Sequence, residues 1–181
     1  VLKNLSEEQL YESFLDLEIC KKARDLVLKN KNLFEAQSYD CDIKTSLKFT
    51  PNILNCVEFH ELKMNVLSHI EVCMHQKNKF MNGYIEDSWV NIYEKDFYQE
   101  FHVHNHPCYN ALSGVLYLTD KNSDIVFKYP DSIHYQPKFG NIILFPDNLP
   151  HRVRKNTEDN LRISIAFNFK FCTLALIKKL S

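Results

Sequence analysis

The chain has 181 residues, 45% hydrophobic and 25% charged, with 22 basic and 23 acidic side chains and a formal net charge of −1. That length suits one domain, here 1–181, and the composition is globular, which excludes a disordered or collagen-like chain. The near-zero charge removes any bulk electrostatic case for nucleic acid or an anionic membrane, and three glycines (Gly83, Gly114, Gly140) cannot assemble GxGxxG or GxxxxGK[ST].

The first half reads as helical. Ser6-Glu7-Glu8-Gln9 forms a capping-box pattern. Leu10, Phe14, Leu17, Ile19, Cys20, Ala23, Leu26 and Val27 follow at near-helical spacing, and the polar run from Lys29 to Asn32 ends that helix. A second helix is expected from Thr50-Pro51, where Thr can cap and Pro fits the first turn. Its apolar face is Phe59, Leu62, Val66, Ile70 and Cys73, widened by Val57, Leu67 and Met74. His60, His69 and His75 lie on it without an i,i+4 pair, so they read as surface or core histidines.

From Trp89 onward, short runs rich in Val, Ile, Phe and Tyr alternate with turn clusters. Strands are expected at 88–94, 98–106, 111–119, 124–129, 133–137, 141–145, 149–154 and 161–171. The turns between them are marked by Asp120 to Asp124, Pro146-Asp147-Asn148 and Lys155 to Asn160. So many short strands with no helical pattern between them argue for a closed sandwich or jelly roll. The expected fold class is therefore mainly β with N-terminal helices. Residues 1–80 form a helical support region, and 86–171 form the barrel core.

The six cysteines are scattered without a CxxC pair and read as thiols of a reducing compartment. No segment reaches the ~20 apolar residues of a membrane-spanning helix, and the N-terminus lacks a signal pattern. The expectation is a cytoplasmic protein.

Chemistry concentrates in two places. In Phe101-His102-Val103-His104-Asn105-His106 three histidines alternate, and a period of two puts them on one strand face. His151 follows 47 residues after His104, near the start of another expected strand. An H-x-H pair plus one distant histidine suits a facial three-ligand metal site that leaves half an octahedron open. The bland reading is a solvated polar face or hydrogen-bonded core histidines. Arg162 and Ser164 share one face of Leu161-Arg162-Ile163-Ser164-Ile165. An inward-facing Arg needs an anionic partner, and no carboxylate is evident for it, so a ligand carboxylate held by the guanidinium and the Ser hydroxyl is the natural completion. The bland reading there is an Arg that points outward and pairs on the surface.

These residues carry a resemblance. The segments Ser88 to His104, Leu112 to Tyr117, Pro137 to Pro146, then His151 and Arg162 to Asn168, are similar to the 2-oxoglutarate/Fe(II)-dependent oxygenases related to prolyl 4-hydroxylases, over roughly residues 45–170. The resemblance implies a double-stranded β-helix (jelly roll, cupin-like) with Fe(II) and the cosubstrate 2-oxoglutarate. It implies His102, His104 and His151 as the catalytic metal ligands and Arg162 and Ser164 as the grip on the distal carboxylate. Asn91 and Tyr93 match an N-x-Y motif near the same cosubstrate, and Tyr117 is a further pocket residue. The implied activity is hydroxylase-type oxidation coupled to decarboxylation of 2-oxoglutarate.

The chain departs from the family where His104 replaces the usual Asp or Glu, and His106 is a second option for that ligand. A halogenase variant, with a small residue there, does not fit. Two rivals stand beside this reading: a cupin-type metalloenzyme without 2-oxoglutarate, and a non-catalytic binding module on the same barrel. The cupin lacks its expected Glu after H-x-H, since 105–112 contain no carboxylate. A small molecule or peptide is the favoured substrate, with the rim drawn from Phe80 to Tyr84 and Pro107 to Asn110. Low charge disfavours nucleic acid, and oligomeric state leaves no mark on the sequence.

Overall fold

A computed structural model describes residues 10–37, 41–77, 82–104, 111–120, 124–129 and 131–172. In chain order the strands are β1 (Tyr11–Phe14), β2 (Glu35–Gln37), β3 (Ile43–Thr45), β4 (Gly83–Tyr93), β5 (Gln99–His102) and β6 (Ala111–Tyr117). They continue with β7 (Ile125–Tyr129), β8 (Asp131–Tyr135), β9 (Asn141–Pro146), β10 (His151–Val153) and β11 (Arg162–Phe171). Helices α1 (Leu17–Lys29) and α2 (His60–Gln76) precede most of them. The chain is mainly β. One sheet runs β1-β9-β6-β11-β4-β3-β2 and the other β5-β10-β7-β8, all pairs antiparallel.

Alternation gives the large sheet two different faces. Along β11, Ile163, Ile165, Phe167 and Phe169 join Val90, Ile92, Leu116 and Leu144 in a core closed by Val27 of α1 and by Val66 and Ile70 of α2. Each such fully buried side chain contributes on the order of 1.5–3 kcal/mol. The opposite face looks toward the small sheet. Tyr117, Ile143 and Phe145 meet Ile125, Phe127 and Tyr135 there in a second core. A sheet buried on both sides explains why β9 reads as an unbroken apolar run (Asn141, then Ile142-Ile143-Leu144-Phe145).

Gly114 sits where β6 meets Phe167 of β11. A Cβ there would overlap the Phe167 ring. Gly114→Ala is accordingly expected to lose about 2–3 kcal/mol, a fall in Tm of about 5–10 °C. Thermal unfolding checks this, and Phe167→Leu in the same background should recover part of the loss.

Three expectations are corrected. The helix over Leu10 to Val27 is two elements. Residues Tyr11–Phe14 pair with β9 from Tyr11↔Leu144 to Phe14↔Asn141, and the helix starts only at Leu17. Its cap is Asp16, whose Oδ1 accepts from the amides of Glu18 (2.9 Å) and Ile19 (3.1 Å). Phe14, assigned to the apolar stripe, is 51% exposed. The Ser6 capping box lies outside the described residues.

The second helix begins at His60 and not at Thr50-Pro51. The preceding segment is tied to β4 instead. Ser88 donates its amide to the Pro51 carbonyl and its hydroxyl to Asn52 Oδ1, while Leu54 N–H donates to Ser88 Oγ. Two 3-10 turns (Ile53–Asn55 and Val57–Phe59) fill the gap, and Val57 is 81% exposed, off the apolar face. Phe59, Leu62, Val66, Ile70, Cys73 and Met74 are buried as expected.

The strand expected at 98–106 ends at His102. Strands β2 and β3 have no counterpart in the sequence reading. Cys20, Cys41, Cys56, Cys73 and Cys172 are free thiols. Among the described residues no helix is long and apolar enough to cross a membrane.

Candidate metal centre and anion pocket

The inner face of the large sheet is built from three central strands. Arg162, Ser164, Ala166 and Asn168 alternate inward along β11 and stand opposite Tyr93, Asn91, Trp89 and Asp87 of β4. On the other side, Ser164, Ala166 and Asn168 stand opposite Tyr117, Val115 and Ser113 of β6. This face is polar because it looks onto the mouth between the sheets and not onto a helix.

The small sheet brings the histidines to the same space. His102 on β5 and His151 on β10 are directly paired antiparallel residues, with ring centroids 4.2 Å apart. His104 lies just past β5, its amide donating to the Asp147 carbonyl at 2.9 Å. Its ring is 5.3 Å from His102 and 5.1 Å from His151, and Trp89 flanks it at 5.8 Å. One ligand atom from each of the three lies within 4.8 Å of the others, a group able to hold a metal ion.

Each imidazole is also oriented from behind. His102 Nδ1 lies 2.9 Å from the Glu100 carbonyl and His151 Nδ1 lies 2.9 Å from that of Leu149. A carbonyl can only accept, so Nδ1 carries the proton and Nε2 is left with its lone pair. His104 Nδ1 meets Asn168 Oδ1 at 2.8 Å and Ser113 Oγ at 2.9 Å. Three imidazole nitrogens held this way suit iron, zinc, copper or nickel. The donor set therefore fits ferrous iron. His106 lies outside the described residues.

Burial favours the neutral form of His102 and of His151. It lowers the His102 pKa below its ordinary value. For His151 burial, with repulsion from His102 and His104 added, brings it from 6.5 down to about 3. A depressed histidine takes up its proton on unfolding, so its contribution is complete above about pH 6.5 and is lost as pH falls toward 3. The slope is about 1.4 kcal/mol per pH unit in that window. Denaturant unfolding of metal-free protein at pH 7, 6 and 5 should show it, with a shallower slope in His151→Leu. Equal slopes in both proteins would contradict this account.

Beneath the histidines lies Arg162, 2% exposed, its guanidinium 5.2 Å from the Tyr93 ring and 5.4 Å from that of Tyr117. Burial pushes the Tyr117 hydroxyl up to about 12 against the pull of Arg162, and it raises Tyr93 as well. Both phenols are therefore neutral, and neither supplies a negative charge to the guanidinium. Ser164 and Asn91 complete the pocket, and Asn91 Oδ1 is buried without a hydrogen-bond partner. Among the described residues no carboxylate lines the cavity that joins Arg162 to the three histidines. A site of cationic and neutral groups favours an anionic guest. The open space is about 30 Å³, room for a water or two. Tyr93 and Gln99, joined by a hydrogen bond of 3.0 Å, are two of the side chains that line it.

All eight residues singled out from the sequence thus come together around one space: His102, His104, His151, Arg162, Ser164, Asn91 and Tyr93 line it, and Tyr117 packs against Arg162. Trp89, Gln99, Ser113 and Asn168 were not anticipated. Trp89 and Asn168 were within reach of the same period-2 count that selected Asn91, Tyr93, Arg162 and Ser164. Of the expected rim, Gly83 and Tyr84 open β4, whereas 80–81 and 107–110 lie outside the described residues.

Residues 120–168 match the family model described as "Putative 2OG-Fe(II) oxygenase". No curated protein sequence matches the chain. Among solved structures, a prolyl-4-hydroxylase from Pseudomonas putida superposes with a TM-score of 0.72 at 13% identity, over 95% of this chain and 97% of that one. A prolyl hydroxylase from Trichoplax adhaerens, in complex with a hypoxia inducible factor oxygen degradation domain peptide fragment, gives 0.72 at 16% identity, over 93% and 86%. HygX from Streptomyces hygroscopicus, with nickel, 2-oxoglutarate and hygromycin B bound, gives 0.66 at 10% identity, over 90% and 83%. At these identities the structural likeness establishes the fold. The family match covers the segment that holds His151, Arg162 and Ser164.

Proposed function

We propose, from the 2OG-Fe(II) oxygenase sequence of residues 120–168 and the site built around it, that the chain is a 2-oxoglutarate- and Fe(II)-dependent oxygenase of hydroxylase type. The observation that carries this reading is that Arg162 lines the same cavity as the three histidines, a cationic side chain within the space that a metal and an anionic cosubstrate would share. The strands within 86–171 are read as a double-stranded β-helix, and the segment before it, as part of one domain, extends the large sheet with β1, β2 and β3 and braces it with α1 and α2.

His102, His104 and His151 hold iron through Nε2, each imidazole kept in the required tautomer by the acceptor behind it. Arg162 and Ser164 take the distal carboxylate of 2-oxoglutarate, a pairing that is strong because the guanidinium is already desolvated. Asn91 offers its amide to the same ligand, and Tyr93 and Tyr117 close the pocket around the Arg162 guanidinium. Iron and cosubstrate, when bound, supply conversion of 2-oxoglutarate and dioxygen to succinate and carbon dioxide, with insertion of the other oxygen atom into a substrate C–H bond. With three neutral ligands, the protein leaves charge balance to the dianion. Trp89 and the strand walls exclude water from the space where oxidation occurs.

The substrate is a peptide or a small molecule, the two classes named for structural relatives. A cytoplasmic setting agrees with the free thiols. The test is anaerobic titration of the metal-free protein with Fe(II), then with 2-oxoglutarate. A visible charge-transfer band that needs both, followed by succinate release on admitting air, is expected. Absence of the band and of retained metal would remove the oxygenase reading.

A further inference from the structure

Ser113 and Asn168 stand directly opposite each other on the two central strands β6 and β11, 1% and 3% exposed. His104 reaches this pair from beyond the end of β5. The three polar atoms form a closed triangle: His104 Nδ1 to Asn168 Oδ1 at 2.8 Å, Ser113 Oγ to Asn168 Oδ1 at 2.9 Å, and Ser113 Oγ to His104 Nδ1 at 2.9 Å. Hydrogen accounting decides what the triangle does. An amide oxygen can only accept, and it has two lone pairs. The Ser113 hydroxyl donates to one, and the His104 Nδ1–H to the other. The third edge is then the near approach of an Nδ1–H to the serine oxygen.

The alternative orientation would turn the Asn168 NH₂ toward His104 and make Nδ1 the acceptor. That would place the ring proton on Nε2, where it would block a metal. In that state the buried Ser113 hydroxyl would lose Oδ1 as its acceptor and would compete with the amide NH₂ for the single lone pair of Nδ1, which disfavours it. The other two histidines lean on backbone carbonyls, which cannot be substituted away. His104 leans on side chains.

We propose that Asn168 and Ser113 are positioning residues that lock His104 in its Nδ1–H tautomer and so make it a metal ligand. This rests on the iron site proposed above. Asn168 provides the acceptor, and Ser113 sets which end of the amide faces the ring. Neither touches the metal. Loss of a group behind a metal-ligating histidine costs about 10- to 100-fold in affinity, and Asn168→Ala should weaken Fe(II) binding by that amount. Ser113→Ala should have a smaller effect, since the amide keeps its place but not its orientation.

The experiment has two arms. Long-range ¹H–¹⁵N correlation spectra of the metal-free protein at neutral pH read the tautomer of His104, and anaerobic titration with Fe(II) alone reads affinity. The wild type should show the proton on Nδ1. In Asn168→Ala it should move toward Nε2 as Fe(II) affinity falls. Asn168→Asp, which is isosteric and keeps the acceptor, should return both to wild-type values or give tighter binding. If Asn168→Ala does not fold, Asn168→Asp and Ser113→Ala carry the comparison. An Nε2–H tautomer in the wild type, or unchanged tautomer and affinity in Ser113→Ala and Asn168→Ala, overturns the proposal. A wild type with the Nδ1–H tautomer that binds no Fe(II) overturns the iron site itself.

Discussion

Replacing Arg162 by Met weakens 2-oxoglutarate binding by at least about 100-fold while metal affinity stays within a few-fold of wild type. The size follows from removing one member of a buried, hydrogen-bonded charge pair, which costs about 3 kcal/mol or more, each 1.4 kcal/mol being tenfold. Anaerobic titration of the Fe(II)-loaded variant with 2-oxoglutarate, beside Fe(II) titration of the metal-free variant, checks both affinities, and circular dichroism confirms the fold. Undiminished 2-oxoglutarate binding would remove Arg162 from the cosubstrate site.

His102→Ala has the opposite profile. Fe(II) affinity should fall by well over the roughly 100-fold that attends loss of a group behind a ligand, since the ligand itself is gone. His102 is the cleanest of the three to truncate. It is half-buried at the end of a four-residue strand, so the structural cost is small. His151 is 4% exposed and packs on Phe145 with ring centroids 4.8 Å apart. Cutting it to Ala would open a core cavity and mix stability with metal loss. Isothermal titration under nitrogen, with circular dichroism to confirm the fold, distinguishes these. Retention of wild-type affinity in His102→Ala would exclude the three-histidine centre. Together the two variants separate metal from cosubstrate: one loses 2-oxoglutarate and keeps iron, the other loses iron first.

The site was legible largely because its chemistry is unusual for its surroundings. Arg162 interrupts a strand that otherwise reads as core, and the H-x-H pair of His102 and His104 with the distant His151 stands out as a set of metal-ligating side chains. The residues missed were ordinary ones. Ser113 and Asn168 look like any polar position in a strand. Their importance arises from the 64 positions that separate Asn168 from His104 and the nine that separate Ser113 from it, a conjunction that no local pattern encodes. Trp89 carries no signal beyond its place in an expected strand, and only the course of the chain after β5 sets it against His104.

The misread elements have the same origin. Leu10, Phe14 and Leu17 recur at helical spacing, yet Tyr11–Phe14 finds its hydrogen bonds on β9, more than 120 residues away. Thr50-Pro51 is a sound helix start by its own chemistry, but hydrogen bonds through Ser88 and Asn52 tie that segment to β4 instead.

Composition, alternation and turn chemistry are enough to specify a mainly β core behind helical elements and the residue types of a metal and anion site. These are local properties, written in φ/ψ preference and side-chain spacing. Which strands pair, how Arg162 comes to lie under the histidines, and which acceptor holds each imidazole depend on contacts between distant segments. Their energies belong to the assembled molecule, because a hydrogen bond from His104 to Asn168 exists only after two sheets have closed on each other.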